Sequence, residues 1–362
     1  MRKLPLNTTR KKESKRQPSS ITRLCLPYSN STENLETDSF FVAGLRIRYT
    51  ECMKKTVYAG TYTGNGSEGI YRFDFEDGIL SDPQLFCRIK NPKYICLQND
   101  VLTAVCDNEK RSGAALVNME GEITDTISYE GGTSCYVCRD ENRIYTANYH
   151  EGCFTALREE DGRLVMDGIV QIREKAGTHQ VIPFKDQLLV PCLLLDRVMI
   201  YDRDLNRTGS IRFNNGTGPR HGVITKDGQY LYLVSELSNE LFVITTADWQ
   251  IQESISILPN GEKYKRDSAA IRLSEDEKHV YISTRTMDII SVVRMEDHHP
   301  QLIQTVSCGG RHPRDFILLD GYLLSANRFS NTVVSFKINE DGTIGEEVSR
   351  ISVPEAVSLA VR

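Results

Sequence analysis

No apolar run approaching twenty residues occurs anywhere in the 362-residue chain, so the sequence offers no candidate for a membrane-spanning helix. A secretory apolar segment near the start is also missing. The ten cysteines are scattered without the spacing of a metal site, and the expectation is reduced thiols in a cytoplasmic location. The one Cys-x-x-Cys, Cys135 to Cys138, lies in a strand-like segment whose positions i and i+3 face opposite sides of a sheet. No metal and no cofactor is expected from it. The sequence lacks a Gly-x-Ser-x-Gly nucleophile elbow, a His-Glu-x-x-His motif and a Walker loop. Gly-x-Gly-x-x-Gly does occur at 64–69, but the strand-like IYRFDF follows it, with no helix N-terminus to hold a pyrophosphate. A hairpin loop is the reading there. Basic patches interleaved with aromatics are missing too, which argues against nucleic acid as a partner.

Charge is distributed unevenly. Residues 1–52 hold ten Lys/Arg against five Asp/Glu, while the remaining chain holds 34 against 44 and is net acidic. The basic letters cluster in RKKESKR (10–16) among Ser, Thr and Asn, with too little apolar content for a core. This segment is expected to be a disordered extension or translated leader, because Met53-Lys54-Lys55 directly precedes the first strand. About 40% hydrophobic letters leave residues 53–362 able to bury a full core.

What is present is a repeat. The segments VYAGTY, LTAVCD, IYTANY, LLVPCL, LYLVSE, VYISTR and LLSANR begin at 57, 102, 144, 188, 231, 280 and 323. A step of 42 to 49 residues is the period of a four-stranded propeller blade. Each segment follows a polar turn such as Lys226-Asp227-Gly228 and precedes another strand such as NELFVITT. No helical periodicity of useful length competes with this pattern. The fold class read from the chain is all-β, a seven-bladed β-propeller. The last segment, VPEAVSLAVR (353–362), resembles an innermost strand with no successor, and the segment at 57 has no innermost strand before it. The C-terminal strand is therefore expected to close the first blade, leaving no open edge.

Hairpin arithmetic then collects a set of side chains at one rim. Reflection about Gly228 sets Arg220 opposite Glu236, and reflection about Gly321 sets Arg314 opposite Arg328. Repeat alignment places Arg285 level with Glu236 and His179 level with His221. Taken singly, charged residues at hairpin ends serve solubility and turn chemistry. As a set of four arginines and two histidines in a net acidic body, they call for an anion, and arginine's planar fork suits carboxylate or phosphate. His150, next to the rim position Tyr149, is read as an exposed bystander. His279, His298 and His299 fall in turns away from that level and receive no role.

GTYTGNGSEGIYRFDFEDGIL, HQVIPFKDQLLVP, DRVMIYD, GPRHGVITKDGQYLYLVSELSN and HPRDFILLDGYLLSANRFSNTVVSFKINEDGTI, in this order, resemble the lactonase family of seven-bladed propellers. That family contains bacterial 6-phosphogluconolactonases and fungal carboxymuconate-lactonising enzymes. The resemblance runs from about residue 55 to 362 and implies an active site of His179, Arg220, Glu236 and Arg285. Thr178 stands where members often have Pro, and Cys192 and Leu194 stand where Asp and Gly are frequent. The implied activity is hydrolysis of a sugar lactone, 6-phosphoglucono-1,5-lactone first among them, in the pentose phosphate pathway. Glu236 or His179 would serve as base, Arg220 or Arg285 would steady the oxyanion, Arg314 and Arg328 would hold the phosphate, and His221 would also bind substrate. Lactonising cyclisation of a muconate-like dicarboxylate and a non-catalytic binding platform are the other readings. The expected partner is a small anionic substrate, with no nucleic acid and no membrane, and the chain is expected as a monomer or weak homodimer. Since residues 1–52 lack both repeat and apolar face, a chain starting at Met53 should keep the melting temperature and turnover of the full chain; a drop of many degrees in a thermal melt would show that the extension packs on the propeller.

Overall fold

The computed structural model describes residues 54–109, 111–259 and 267–362; the expectation for residues 1–52 lies outside them. Seven antiparallel sheets follow one another along the chain. The second strand of each is a repeat segment: Lys55–Thr61, Val101–Asp107, Arg143–Asn148, Gln187–Cys192, Tyr230–Ser235, His279–Thr284 and Tyr322–Asn327. The seven-bladed propeller read from the sequence is therefore the fold.

Burial explains the strand sequences. The second and third strands of a blade are covered on both faces by neighbouring blades, so they read as near-continuous apolar runs such as LTAVC and GAALV. Fourth strands such as Ile251–Ser256 and Ile123–Glu130 lie at the outer edge and alternate between exposed and half-buried positions. One apolar cluster fills each of the seven interfaces between neighbouring blades. The seventh joins last blade to first, where Leu324, Val333 and Ile351 pack with Val57, Phe73, Val353 and Leu359.

The C-terminal strand Ala356–Val361 pairs with Lys55–Thr61, aligning Leu359 with Ala59 and Val361 with Val57. The ring is thus closed by the two ends of the repeat region, and the innermost strand of blade 1 is the last strand of the chain.

Hairpin register departs from the sequence arithmetic near the rim. In blade 5 Pro219 pairs with Ser235 and His221 with Val234, which leaves Arg220 as an extra residue in a bulge and not opposite Glu236. The turn causes the shift. Thr225 N–H bonds the Tyr230 carbonyl, so the hairpin is centred before Gly228. Arg314 is bulged in the same way between Pro313↔Asn327 and Asp315↔Ala326. A bulge turns a side chain out of the ladder, and here it turns both arginines towards the rim.

Deleting residues 353–362 should remove the innermost strand of blade 1 and expose the edges of Lys55–Thr61 and the apolar faces around Val57 and Leu324. Aggregation, or loss of a single cooperative transition in a denaturant titration, is the expected outcome; a deletion variant that melts cooperatively would contradict the closure.

Candidate active site

The rim is built from two repeat positions. Lys93, Cys135, His179 and Arg314 each stand nine residues ahead of their blade's repeat segment, at the entry to the innermost strand. Tyr62, Tyr149, Glu236, Arg285 and Arg328 each stand five residues past the segment's first residue, where the second strand ends. Inner and second strands run antiparallel, so strand entry on one and strand exit on the other meet at the same end of the channel.

There they line a cavity of about 180 Å³ formed by Tyr62, Lys93, Thr133, Cys135, Tyr149, His150, His179, Glu236, Arg285 and Arg314. Two grooves on blade 4, one of them extending to blade 5, are about three times larger, but they are open and carry neither a buried carboxylate nor a histidine.

Glu236 is the electrostatic centre. Its Oε2 accepts from Arg220 Nε at 2.7 Å and lies 2.9 Å from Arg285 Nη2. Burial alone would push its carboxyl up, but the two guanidiniums outweigh that and hold it below the ordinary carboxylate range. Arg220 is only 1% exposed and donates a second bond to the Ala269 carbonyl at 2.6 Å. Burial and the charge of Arg285 push its guanidinium down to about 10. Arg285 also reaches Asp267 at 2.8 Å. The ionised Glu236 thus clamps two arginines, one beneath it and one on the cavity wall.

His179 is 4% exposed, and its Nδ1 lies 3.0 Å from His221 Nε2. Nε2 is the ring nitrogen left for the cavity. Burial, together with the charges of Arg220, Arg314 and Arg285, holds His179 well below its ordinary range, so the ring is neutral. Tyr149 packs edge-on against it at 5.9 Å.

Other expected residues stand elsewhere. His221 is buried behind His179, edge-on to Tyr94 and Tyr136, and touches the cavity only through its neighbour. Arg328 is outside the lining because Glu355 takes its Nε at 2.7 Å. His150, read as a bystander, does line the cavity although it is exposed. Cys135 lines it as well, its thiol pushed up by burial, whereas the Cys138 thiol turns away to bond the Val181 carbonyl. Thr178 and Cys192 face each other in an isolated bridge behind His179, both fully buried, and Leu194 points to solvent. The family departures at these positions are therefore off the cavity wall. His298 stacks on Tyr230 and His299 meets Glu253. Lys93, Tyr62 and Thr133 are lining residues that the hairpin arithmetic missed. For Lys93 and Tyr62 the signal was the repeat offset, which they share with His179 and Glu236.

The fold and the site together define a closed propeller with an arginine-clamped carboxylate and a neutral histidine at its axial mouth. Residues 56–361 match the family described as lactonase, 7-bladed beta-propeller, and the chain belongs to that family. The 6-phosphogluconolactonase of Bacillus subtilis (strain 168) is 30% identical over 337 residues, covering 83% of this chain and 97% of that protein. A crystal structure of a protein from Lactobacillus plantarum is 27% identical, with a TM-score of 0.78, over 86% of this chain and 100% of its own. The Pseudomonas aeruginosa periplasmic gluconolactonase PpgL has the same fold at 20% identity, with a TM-score of 0.76 over 85% of this chain and 99% of its own.

The buried histidines make a pH prediction. A histidine depressed in the fold contributes fully above the unfolded value of about 6.5, and its contribution falls as pH drops towards the folded value. His179 and His221 are both depressed by burial. The melting-temperature advantage of wild type over the double variant His179→Gln/His221→Gln should therefore shrink between pH 7.5 and pH 5; an advantage that grows on acidification would show that the pair is charged in the fold.

Proposed function

We propose that the protein is a sugar-lactone hydrolase acting on 6-phosphoglucono-1,5-lactone, with His179 as the base and Arg285 as the oxyanion partner. The observation that carries the reading is the cavity wall itself: a neutral imidazole nitrogen and a guanidinium held by a carboxylate face one small space. Similarity to the Bacillus subtilis 6-phosphogluconolactonase over nearly its whole length supports the substrate class.

Lactone hydrolysis needs a group that takes a proton from water and a positive group for the carbonyl oxygen as it gains charge. With His179 Nδ1–H donating to His221 Nε2, the Nε2 lone pair of His179 is free for water. Water oxygen bonds to the lactone carbonyl carbon while its proton passes to His179, and the carbonyl oxygen becomes an oxyanion beside Arg285. The tetrahedral centre then collapses. The ring C–O bond breaks, and His179 returns the proton to the leaving oxygen, which becomes a hydroxyl. Glu236 is less suited to the proton transfer because two guanidiniums stabilise its ionised form. It serves instead as a fixed counter-charge that aims Arg285. Growing negative charge on the substrate raises the proton affinity of His179 at the moment the proton arrives.

We further propose a place in the pentose phosphate pathway and a reducing, cytoplasmic setting. Supporting it, eight described cysteines are free thiols.

His179→Gln should lower kcat on the lactone by about a hundredfold or more, the usual contribution of a positioned base, with a cooperative melt retained. Glu236→Gln should lower kcat and also cost stability on the order of 3–5 kcal/mol, because it leaves two guanidiniums without their shared carboxylate. Continuous lactone-hydrolysis assays paired with thermal melts check both. Near-normal kcat in folded His179→Gln would move the base elsewhere, and a wild type that turns over muconates but no lactone would overturn the reading.

A further inference from the structure

The charges at the mouth do not balance, and the imbalance is localised. The charged residues of the wall and their direct partners are Lys93, Arg220, Arg285 and Arg314 against Glu236 and Asp267. Four cations against two carboxylates leave two positive charges without an ion-pair partner, the carboxylate nearest in effect being Asp107, which feels the charge of Lys93 and accepts from Thr133. Arg220 and Arg285 share Glu236, and Arg285 also has Asp267. Just outside the wall, Arg328 is matched by Glu355. Lys93 and Arg314 remain. Among the described residues neither head group has a hydrogen-bonded or ion-paired acceptor, and both lie against one aromatic ring, Tyr62, at 5.6 and 5.5 Å from its centroid, a ring on which the Glu355-bound Arg328 also stacks at 4.0 Å. A cation over a ring face is attracted by the ring quadrupole, and it keeps its N–H donors unspent.

Position separates this pair from the reacting groups. His179 enters on blade 4, Glu236 and Arg220 on blade 5, and Arg285 on blade 6. Arg314 enters on blade 7, Tyr62 on blade 1 and Lys93 on blade 2. The mouth therefore has a side whose wall charges are ion-paired, next to the neutral histidine, and a side where Arg328 is held by Glu355 but the wall cations Lys93 and Arg314 have no ion-pair partner.

We propose that Lys93 and Arg314, presented on the Tyr62 ring, form the subsite for the phosphate of a phosphorylated sugar lactone, whose ring then lies across the mouth towards His179 and Arg285. This rests on the lactone-hydrolase reading and adds to it the residues that select for phosphate. A phosphate monoester carries about −1.5 to −2 charge near neutral pH with a cluster of acceptor oxygens, which matches in number the two cations without an ion-pair partner. Lysine meets it as a point charge and arginine as a fork. Arg328, expected beside Arg314 from hairpin arithmetic, is replaced in this role by Lys93 because Glu355 already holds it.

The test compares 6-phosphoglucono-1,5-lactone with glucono-1,5-lactone in wild type, Lys93→Met and Arg314→Met. Titration calorimetry with the products 6-phosphogluconate and gluconate provides a second readout that needs no turnover. Each substitution should raise KM for the phosphorylated lactone, and Kd for 6-phosphogluconate, by about ten- to a hundredfold, the range for losing a hydrogen bond to a charged group. For Lys93→Met, kcat and all constants for the unphosphorylated pair should stay within about threefold, since only uniform binding to the phosphate is removed; Arg314→Met also removes a charge that acts on His179 and is read by its excess loss on the phosphorylated pair. Should Arg314→Met fail to fold, Lys93→Met reads the same subsite from a different blade. Equal losses on both lactones, or unchanged 6-phosphogluconate affinity in both variants, would overturn the subsite. A wild type that binds 6-phosphogluconate through Lys93 and Arg314 but hydrolyses neither lactone would uphold the subsite while removing the catalytic reading.

Discussion

Ring closure is the constraint on which the rest depends. The seven sheets each bury both faces against neighbours, so no blade has a complete core of its own. The interface between blades 7 and 1 forms only because Ala356–Val361 returns to pair with Lys55–Thr61. Once the ring is shut, the entries of the inner strands converge on one axis. Residues more than two hundred positions apart, such as Lys93 and Arg314, then face one small cavity. Convergence at the mouth is a product of topology, and its chemistry depends on which letters occupy the converging positions.

Those letters are arranged around charge compensation. Burying Arg220 almost completely would be costly without Glu236 and the Ala269 carbonyl. With them it becomes a rigid support, and the same carboxylate holds Arg285 in place at the wall. Burial, reinforced by the local positive potential, keeps His179 neutral. The aimed guanidinium depends on Glu236, whereas the neutral ring does not, since removing that carboxylate would only make the surroundings of His179 more positive.

Much of this was legible in the chain. The period of the repeat located all seven second strands, and the missing successor to VPEAVSLAVR located the closure, because blade geometry leaves a strand segment little freedom of length or order. Which side chains reach the mouth was legible only in part. Hairpin reflection assumes an unbroken ladder, and the bulges at Arg220 and Arg314 break it. The proximity of Arg220 to Glu236 survived because the bulged residue still projects towards the rim. Roles that depend on partners were hidden altogether. Arg328 is spoken for by Glu355, some 27 residues away in sequence, and His221 is stacked behind His179, facts of packing that no spacing encodes. Lys93 and Cys135 stand at the repeat offset of His179, but as a lysine and a cysteine they do not share its chemistry, so the offset alone does not mark them as site residues.

The bulges have a consequence for how such a mouth diversifies. A residue inside a regular ladder is tied to the partners on either side, and its side chain must suit two packed faces. Arg220 and Arg314 stand outside that obligation: the flanking pairs, Pro219↔Ser235 with His221↔Val234 and Pro313↔Asn327 with Asp315↔Ala326, set the register without them. Arg314, which has no ion-pair partner, therefore acts as a socket on a fixed frame, where one letter can be exchanged without sliding a strand, whereas Arg220 is tied in place by Glu236 and the Ala269 carbonyl. In this chain a change of letter at Arg314 would alter what the mouth receives while the blades that carry it stay as they are.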